Sequence, residues 1–354
     1  MAGQLAPIDV FLRLSAVEGL TARHLLMLRS ADRTPSFPGM EEETSGPILR
    51  KALQALYSPE AGEKALRIRA ACENSGVRIV PLGSEEYPAL LSCIPDAPVV
   101  LYLAGEYPAW ENSVAIVGSR AATKPACEFA GLLAADLASA GWMVVSGMAR
   151  GIDTAAHEGA MRGGGTTLAV LGCGVDVVYP PEGHDLHRRI LGCGALLSEY
   201  PPGAIPYPWR FPARNRIISG VCRGVVVVEA SARSGALITA RLGLDQGKEV
   251  MAVPGNPLFP HTAGSNRLIR EGATPVTGAD DVIEAIGGIR PGPSAGTRER
   301  KILDCLATPR RIDEIVDALD IPARELLPCL LEMELGKLLE RGAGDYYKKL
   351  SGNG

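Results

Sequence analysis

Short runs of consecutive apolar residues occur in the middle of the chain, separated by longer segments with the spacing of amphipathic helices. Strands that helices cover on both faces are apolar at every position, whereas half-exposed strands alternate. The pattern therefore predicts an α/β domain built on a doubly wound parallel sheet. The predicted strands are VAIVG (114–118), MVVSG (143–147), TTLAVLG (166–172), ALLSEY (195–200), VVVVEA (225–230) and EVMAVPG (249–255).

The flanking regions are predicted to be mainly helical. Before the sheet, helical spacing occurs in DVFLRLSAV, ARHLLMLRS, ALQALY and AGEKALRIRAACENSG, and VRIVPLG reads as a strand. After it, three helical segments and two short strands around a glycine turn have the order of a winged helix. The predicted division is a helical segment with connecting strands at 1–105, the α/β domain at 106–288, a linker at 289–297 and a winged helix at 298–354.

Composition narrows the class of protein. A chain of 354 residues suggests two or three domains, and its net charge of −4 is not that of a generally basic nucleic-acid binder. We find no apolar run long enough to span a membrane and no secretion signal, so we expect a cytoplasmic protein. The eight cysteines are scattered without a CxxC pair, which favours reduced thiols over a metal site.

The loops that follow the predicted strands carry small residues and cations. In a doubly wound sheet these loops meet at one edge, where ligands bind. Small residues let backbone N–H groups approach an anion, and arginine is suited to phosphate. The loops therefore predict a phosphate site, although a nucleotide and a polymer remain equally open as ligands. The candidates are Gly118, Ser119, Arg120 and Lys124 after the first strand, Ser146, Gly147 and Arg150 after the second, and Arg233, Ser234 and Gly235 after the fifth.

A basic cluster at 209–220 (WRFPARNRIISG) is the strongest local signal, because no acidic residue lies between Tyr200 and Val228. Arg214, Asn215 and Arg216 are its candidate ligands for phosphate, and a solvated helix face is the alternative. Two arginines separated by one residue cannot share a helix face closely, so we expect them to reach different partners. Trp209 and Phe211 are expected to pack in the protein, although aromatic rings also stack on bases.

Catalytic signatures are weak. The first strand is not followed by GxGxxG, and a Walker A loop is absent. We expect His157, His184 and His187 to be surface or packing residues, Asp153 to cap a helix, and Glu229 to pair with an arginine. No catalytic residue, metal or cofactor is therefore predicted.

Taken together, these loops resemble the DNA-processing protein A (DprA/Smf) family over nearly the whole chain. The motifs that carry the resemblance are VAIVGSRAAT, VVSGMARGIDTAAHEGA, AVLGCGVDVVYP, LLSEYPPG, FPARNRIISG, VVVVEA with SGALITARLGL, AVPG and GSNRLIREGA. The resemblance implies an extended Rossmann-like core, an N-terminal segment like a SAM or helix-hairpin-helix module, and a C-terminal winged helix.

The family resemblance also implies a function. It implies a non-catalytic protein that binds single-stranded DNA in natural transformation, protects the incoming strand, helps to load the RecA recombinase and forms a homodimer through its Rossmann-like domain. It points to Arg120, Ser146, Gly147, Arg214 and Arg216 as the DNA pocket. The rival interpretation is a Rossmann-like enzyme that cleaves nucleoside monophosphates at the N-glycosidic bond, but the turn SARSGALITA lacks the glutamate of those enzymes.

The chain departs from the family pattern at three places. After VDVVYP, where many relatives carry a basic residue and an asparagine, it has Pro181, Glu182 and Gly183, which puts one phosphate contact in doubt. The N-terminal hairpin reads EGLT at 18–21 rather than GIG. Residues 298–354 hold 10 basic and 11 acidic side chains, so the winged helix is expected to be a protein-contact or regulatory module rather than an autonomous DNA binder.

Overall fold

The computed structural model describes residues 7–15, 17, 20, 47–106, 110–287, 302–303, 305–306, 308–319, 321–335, 339–342 and 346–349. The chain divides into two compact units, Met1–Ile289 and Arg290–Gly354. The predicted helix ARHLLMLRS and the predicted linker at 289–297 lie outside the described residues. Within the described ranges, no helix is long and apolar enough to cross a membrane.

Three helices precede the sheet, namely α1 (Pro7–Leu14), α2 (Pro47–Tyr57) and α3 (Pro59–Ser75). Helix α3 begins where the side chain of Ser58 accepts a hydrogen bond from the Ala61 amide, and it ends at Gly76, whose φ of 65° suits glycine. Apolar residues of α1 and α3 pack in one cluster with the side chains of the next two strands. The predicted helices DVFLRLSAV and AGEKALRIRAACENSG are therefore present and cover part of the sheet.

A nine-stranded sheet forms the centre of the first unit. The strands are β1 (Arg78–Pro81), β2 (Val100–Gly105), β3 (Ser113–Val117), β4 (Met143–Ser146), β5 (Thr167–Leu171), β6 (Ala195–Ser198), β7 (Gly224–Val227), β8 (Glu249–Ala252) and β9 (Thr274–Pro275). Their order is β1-β2-β6-β5-β4-β3-β7-β8-β9. In this order, all neighbouring strands from β6 through β9 pair parallel. At one edge of the sheet, β2 pairs antiparallel with both β6 and β1. All six strands predicted from apolar runs are confirmed, and the first two strands of the sheet come from the predicted N-terminal region.

Helices cover both faces of this sheet. They are α4 (Ala89–Ser92), α5 (Lys124–Ser139), α6 (Ile152–Arg162), α7 (His184–Leu191), α8 (Arg210–Gly220), α9 (Ala236–Asp245), α10 (Ala263–Arg270) and α11 (Ala279–Ala285). Along β3, Val114 and Ile116 pack with α5 and α6, while Ala115 and Val117 pack with α8 and α9. The doubly wound arrangement follows, because successive strand residues point to opposite faces and both faces are buried.

The second unit has the predicted winged-helix elements. Residues 302, 303 and 305 are helical, and they precede β10 (Arg310–Arg311), α12 (Ile312–Leu319), α13 (Ala323–Leu335), β11 (Leu339–Gly342) and β12 (Tyr346–Lys349). The strands form a small antiparallel sheet in the order β10-β12-β11. Ile302, Ile315, Leu330 and Tyr347 are buried together in its core.

Candidate functional site

A cavity of about 430 Å³ lies where the strand order reverses, at the carboxyl ends of β3 and β7. From β3 the chain proceeds outward through β4, β5 and β6, and it then returns to β7 on the other side of β3. The loops after β3 and β7 therefore lead to helices on opposite faces and leave a crevice between them. Seven predicted site residues line this cavity, namely Gly118, Ser119, Arg120, Arg214, Asn215, Ser234 and Gly235.

The loop after β3 forms one wall of the cavity. A Cβ at position 118 would lie 2.4 Å from the Ile152 side chain, so the close approach of α6 requires glycine there. The Ser119 amide donates to the Glu229 carbonyl at 2.8 Å, which ties the β3 loop to β7. Arg120 follows with an exposed side chain, and its guanidinium carbon lies 5.7 Å from the centre of the Phe211 ring. This wall of the cavity therefore carries the exposed cation of Arg120, and the sheet holds the backbone of the loop and not the Arg120 side chain.

The loop after β7 forms the opposite wall and leads into α9. The Ser234 side chain accepts a hydrogen bond from the Ala236 amide at 3.3 Å, at the start of the helix. A Cβ at Gly235 would meet no atom within 4 Å, so open space adjoins the helix N-terminus. Since this end of a helix carries partial positive charge, the cavity has an anion-attracting wall besides Arg120.

Glu229 at the end of β7 is buried and supports the β3 side of the site. Its carboxylate accepts hydrogen bonds from the amide and the hydroxyl of Thr123, at 3.0 and 2.7 Å. Thr123 is in turn the N-cap of α5. The expected arginine partner is replaced by this cap because Glu229 lies beneath the N-terminus of α5.

Arg214 is buried, with 3% of its surface exposed, and it supports the cavity from below. Its Nη1 donates to the Gly147 carbonyl at 2.8 Å and to the Val170 carbonyl. Burial lowers the pKa of Arg214 to about 10, and the charge of Asp153 opposes that shift. The guanidinium is therefore still cationic at neutral pH, and its hydrogen bonds join the ends of two strands.

Asp153 holds the loop between β4 and α6 from the other side. Its Oδ2 accepts from the amides of Gly147 and Ala149, each at 3.2 Å. Burial raises the pKa of Asp153, while Arg214 and these hydrogen bonds oppose the rise. The predicted capping role is wrong, since the N-cap is Gly151 and Asp153 is the second residue of the helix, turned back onto the loop.

His157 lies beneath the same loop as a packing residue. It is fully buried, and its Nδ1 lies 2.7 Å from the Thr167 hydroxyl. Burial lowers the pKa of His157 to about 3, and the charge of Arg214 acts in the same direction. The ring is therefore neutral at pH 7, in keeping with the expected structural role.

Residues at the end of β4 and in the loop that follows it make hydrogen bonds to other parts of the protein. Ser146 is fully buried, and its hydroxyl donates to the Ile116 carbonyl at 2.7 Å. The Gly147 amide donates a hydrogen bond to Asp153, and the Gly147 carbonyl accepts one from Arg214. A Cβ at position 147 would lie 2.7 Å from the Arg214 guanidinium. Neither residue lines the cavity. The structure thus brings both candidates near the site but beneath its surface.

Arg216 points away from the cavity, on the other side of α8. It binds the Glu199 carboxylate through two nitrogens, at 2.9 and 2.5 Å, and its Nε lies 3.1 Å from Asp96. Burial alone would lower the pKa of Arg216, but these carboxylates raise it on balance. Arg214 and Arg216 do reach different partners, as expected, and only Arg214 adjoins the cavity. Glu199, the last but one residue of the predicted strand ALLSEY, is a sequence signal from which this pair could have been found.

Three predicted cations, Lys124, Arg150 and Arg233, are exposed and lie outside the cavity lining. Arg150 forms an ion pair with Glu182, which joins the loop after β4 to the short 3-10 turn at Pro181–Gly183. The position at which the chain departs from the family pattern therefore supplies a carboxylate to one of the predicted phosphate ligands.

Aromatic side chains near α8 were only partly anticipated. Phe211 is half-buried and lies 5.0 Å from Tyr179 between ring centres, as a packing residue would. Trp209, by contrast, is 52% exposed, so the expected packing role is wrong for this residue. It is the N-cap residue of α8, and its ring stacks with Tyr207 in the loop that follows β6.

Two family models match the chain. "DNA recombination-mediator protein A" matches residues 78–287, and "DprA winged helix domain" matches residues 290–345. The first match covers the nine-stranded sheet and the cavity, and the second covers most of the C-terminal unit.

Curated relatives and solved structures are similar over much of the chain. The DNA processing protein DprA of Bacillus subtilis is 38% identical over 63% of this chain and 76% of its own length. Protein Smf of Escherichia coli is 35% identical over 78% of this chain and 74% of its own length. The crystal structure of DprA from Streptococcus pneumoniae aligns with a TM-score of 0.64 and 35% identity, covering 78% of this chain and 97% of that one. A structure of DNA processing protein A from Helicobacter pylori, described for its single-stranded DNA binding mode, aligns with a TM-score of 0.53 and 28% identity, covering 58% of this chain and 94% of that one.

Proposed function

The chain belongs to the DNA-processing protein A (DprA/Smf) family, and from this premise we propose that it binds single-stranded DNA without catalysis in the cavity between β3 and β7. One observation carries the proposal: an exposed arginine, Arg120, faces the N-terminus of α9 across a cavity at the reversal point of the sheet. The relative from Helicobacter pylori, whose structure was described for binding single-stranded DNA, supports the choice of ligand.

The proposed contacts are mainly to phosphate. Arg120 donates to a phosphate from one wall, and the backbone at Ser234 and Gly235 approaches it from the other. Gly118, Ser119 and Asn215 complete the lining, and Lys124, Arg150 and Arg233 add positive potential around it. Because phosphates carry no base identity, such a site binds strands of any sequence.

Four of the thirteen sequence candidates receive a different role in this proposal. Arg214, Gly147 and Ser146 hold the loop after β4 in place under the cavity, while Arg216 fastens α8 to Glu199 and Asp96. Their contribution to DNA binding is therefore one of positioning, and it is transmitted through the shape of the cavity.

We also propose the family's wider role for this chain: protection of incoming single strands in transformation and loading of the RecA recombinase in the cytoplasm, by a homodimer. The winged helix is assigned to protein contact, because residues 298–354 carry nearly balanced charge. Family membership supports these assignments, and a recombinase-loading assay with the full chain tests them.

Single-strand binding over a salt titration tests the proposed function. We expect the full-length protein to bind oligothymidylate, with log K falling linearly with log salt by about 0.7 for each phosphate contacted. A mixed-sequence strand serves as the control and should bind with the same slope. Absence of binding at low salt, or an affinity independent of salt, contradicts the proposal.

The rival enzymatic function is tested in the same preparation. Hydrolysis of a nucleoside monophosphate needs a carboxylate that can move a proton at the sugar, but Glu229 is held by Thr123 and Asp153 by two loop amides. We therefore expect no base release above the uncatalysed rate. Turnover that disappears in the Arg120→Ala variant would establish the enzyme instead.

Replacement of Glu182 by glutamine is expected to raise the affinity for single-stranded DNA. The Glu182 carboxylate competes with phosphate for Arg150, and solvent weakens an exposed ion pair of this kind. Its loss should therefore tighten binding by about two- to fivefold. Fluorescence anisotropy with a labelled oligothymidylate measures the change.

Asp185→Asn is the matched control for Glu182→Gln. Asp185 is an exposed carboxylate three residues further on, paired with Arg188 and Arg189. Both variants remove one negative charge, so a gain seen only with Glu182→Gln reflects the release of Arg150. Equal gains in the two variants would assign the effect to net charge alone.

A further inference from the structure

A second cluster of side chains lies in the loop between β6 and α8 and at the first residue of α8. It consists of Tyr200, Tyr207, Trp209 and Arg210, and we call it the aromatic cluster. The loop leaves the carboxyl end of β6, and the strands from β6 to β9 are parallel. The aromatic cluster therefore lies at the same edge of the sheet as the cavity.

The rings of the aromatic cluster are fixed around one guanidinium. The Tyr207 and Trp209 rings are nearly parallel, at 11°, with centres 6.3 Å apart, and Tyr200 meets Trp209 edge-on. The central carbon of the Arg210 guanidinium lies 4.2, 5.0 and 5.2 Å from the centres of Tyr200, Tyr207 and Trp209. Arg210 also donates to the Ile205 carbonyl at 2.7 Å, which ties the start of α8 to the loop.

Two of these rings are exposed to solvent. Trp209 is 52% exposed and Tyr207 is 43% exposed. Fixed, exposed rings bind a flat partner at low conformational cost, because little side-chain freedom is lost. The guanidinium among them adds positive charge, and the carboxylate at Glu199 is neutralised by Arg216. Exposed rings beside a cation suit a planar group that is part of an anionic ligand.

The aromatic cluster adjoins the cavity at the start of α8, but Tyr200, Trp209 and Arg210 line a second cavity of about 720 Å³ together with Arg216. Phe211, in the first turn of α8, lines the cavity, and Trp209 precedes it by two residues. Their Cα atoms are thus at most about 7 Å apart. A strand that leaves the cavity and crosses the first turn of α8 therefore reaches Trp209 in the second cavity.

We propose that Trp209 and Tyr207 form a stacking platform for bases of single-stranded DNA, next to the nucleotide whose phosphate occupies the cavity. This inference rests on the proposed function and adds a base-binding subsite to it. Stacking on an aromatic face accepts every base, so the platform increases affinity without imposing sequence preference.

Tryptophan fluorescence reports on the platform directly. Of the three tryptophans, Trp142 is 1% exposed and Trp110 packs against the core, so Trp209 dominates any quenching by a bound base. We expect oligothymidylate to quench the wild-type emission. In Trp209→Phe the quenching disappears while most of the affinity remains, because phenylalanine still stacks.

Removal of the ring should weaken binding. Trp209→Ala is expected to lower the affinity for oligothymidylate by roughly five- to a hundredfold, the range for one stacked base. Tyr57→Ala is the control, because Tyr57 is an exposed ring on α2. A thermal melt of each variant confirms that the fold is retained.

An abasic strand separates stacking from phosphate binding. With a deoxyribose-phosphate oligomer of the same length, Trp209→Ala should bind as the wild type does, because no base is available to stack. Wild-type binding of oligothymidylate without quenching, or unchanged affinity in Trp209→Ala, overturns the platform and leaves the cavity proposal standing. A wild-type protein that binds no single-stranded DNA overturns both.

Discussion

Replacement of Arg214 by alanine is expected to lower the free energy of unfolding by about 3–5 kcal/mol, the range for removing one partner from a buried charge network. The side chain is 3% exposed and donates to the carbonyls of Gly147 and Val170. Its removal leaves both carbonyls and the nearby Asp153 carboxylate buried without their cation. Urea denaturation of wild type and variant, monitored by circular dichroism, measures the difference.

Loss of Arg214 should also weaken DNA binding, although the side chain is buried. Gly147 connects Arg214 to Asp153, and this connection fixes the loop after β4 under the cavity. We expect Arg214→Lys to recover only part of the stability, since the lysine ammonium is a more compact and more strongly hydrated cation than the guanidinium.

Arg216→Ala is the matched control, because Arg216 lies two residues along the same helix. Its partners Glu199 and Asp96 are 25% and 49% exposed in their side chains, so water replaces much of what the arginine supplied. We expect a smaller loss of stability and a smaller loss of DNA-binding affinity than in Arg214→Ala. Equal losses in the two variants would contradict the supporting role assigned to Arg214.

Replacement of Arg120 by alanine is expected to lower the affinity for single-stranded DNA by roughly ten- to a hundredfold, the range for one charge-assisted hydrogen bond. The slope of log K against log salt should become shallower by about 0.7, since one phosphate contact is lost. Stability should change little, because the side chain is exposed and its cation–π contact is with Phe211 alone among the described rings.

The control for Arg120→Ala is Arg67→Ala. Arg67 is an exposed arginine on α3 that pairs with Glu63, so its removal changes net charge equally without touching the cavity. The two variants are compared in the same salt titration, with strands of two different sequences. Full affinity in Arg120→Ala, or a loss restricted to one sequence, would remove Arg120 from the proposed site.

The sheet and the edge that bears the site were predictable because both depend on local pattern. Continuous apolar runs marked β3 to β8, and the direction of parallel strands placed the loops after β3 and β7 together. Gly118, Arg120 and Gly235 followed from that rule. No knowledge of distant contacts was needed for any of them.

The roles within the basic cluster were not predictable from the sequence, because they depend on partners far along the chain. Arg214 binds a carbonyl 67 residues away, and the Arg216 nitrogen contacts Asp96 across 120 residues. These distant partners determine which arginine is buried and which adjoins the cavity. The order of residues along the chain does not indicate whether an arginine is buried. For the same reason, the sequence did not show that Trp209 is exposed while Phe211 packs.

The position of the cavity at the reversal point has a thermodynamic consequence. Its walls come from two halves of the chain, one before β6 and one after it, so the binding surface exists only when both halves have folded. A strand that binds only this native form stabilises the whole unit, by about 2.7 kcal/mol when free DNA exceeds its dissociation constant a hundredfold. If the proposed site binds DNA, we expect protein bound along a strand to resist proteolysis that degrades the unbound form, which limited proteolysis with and without DNA measures.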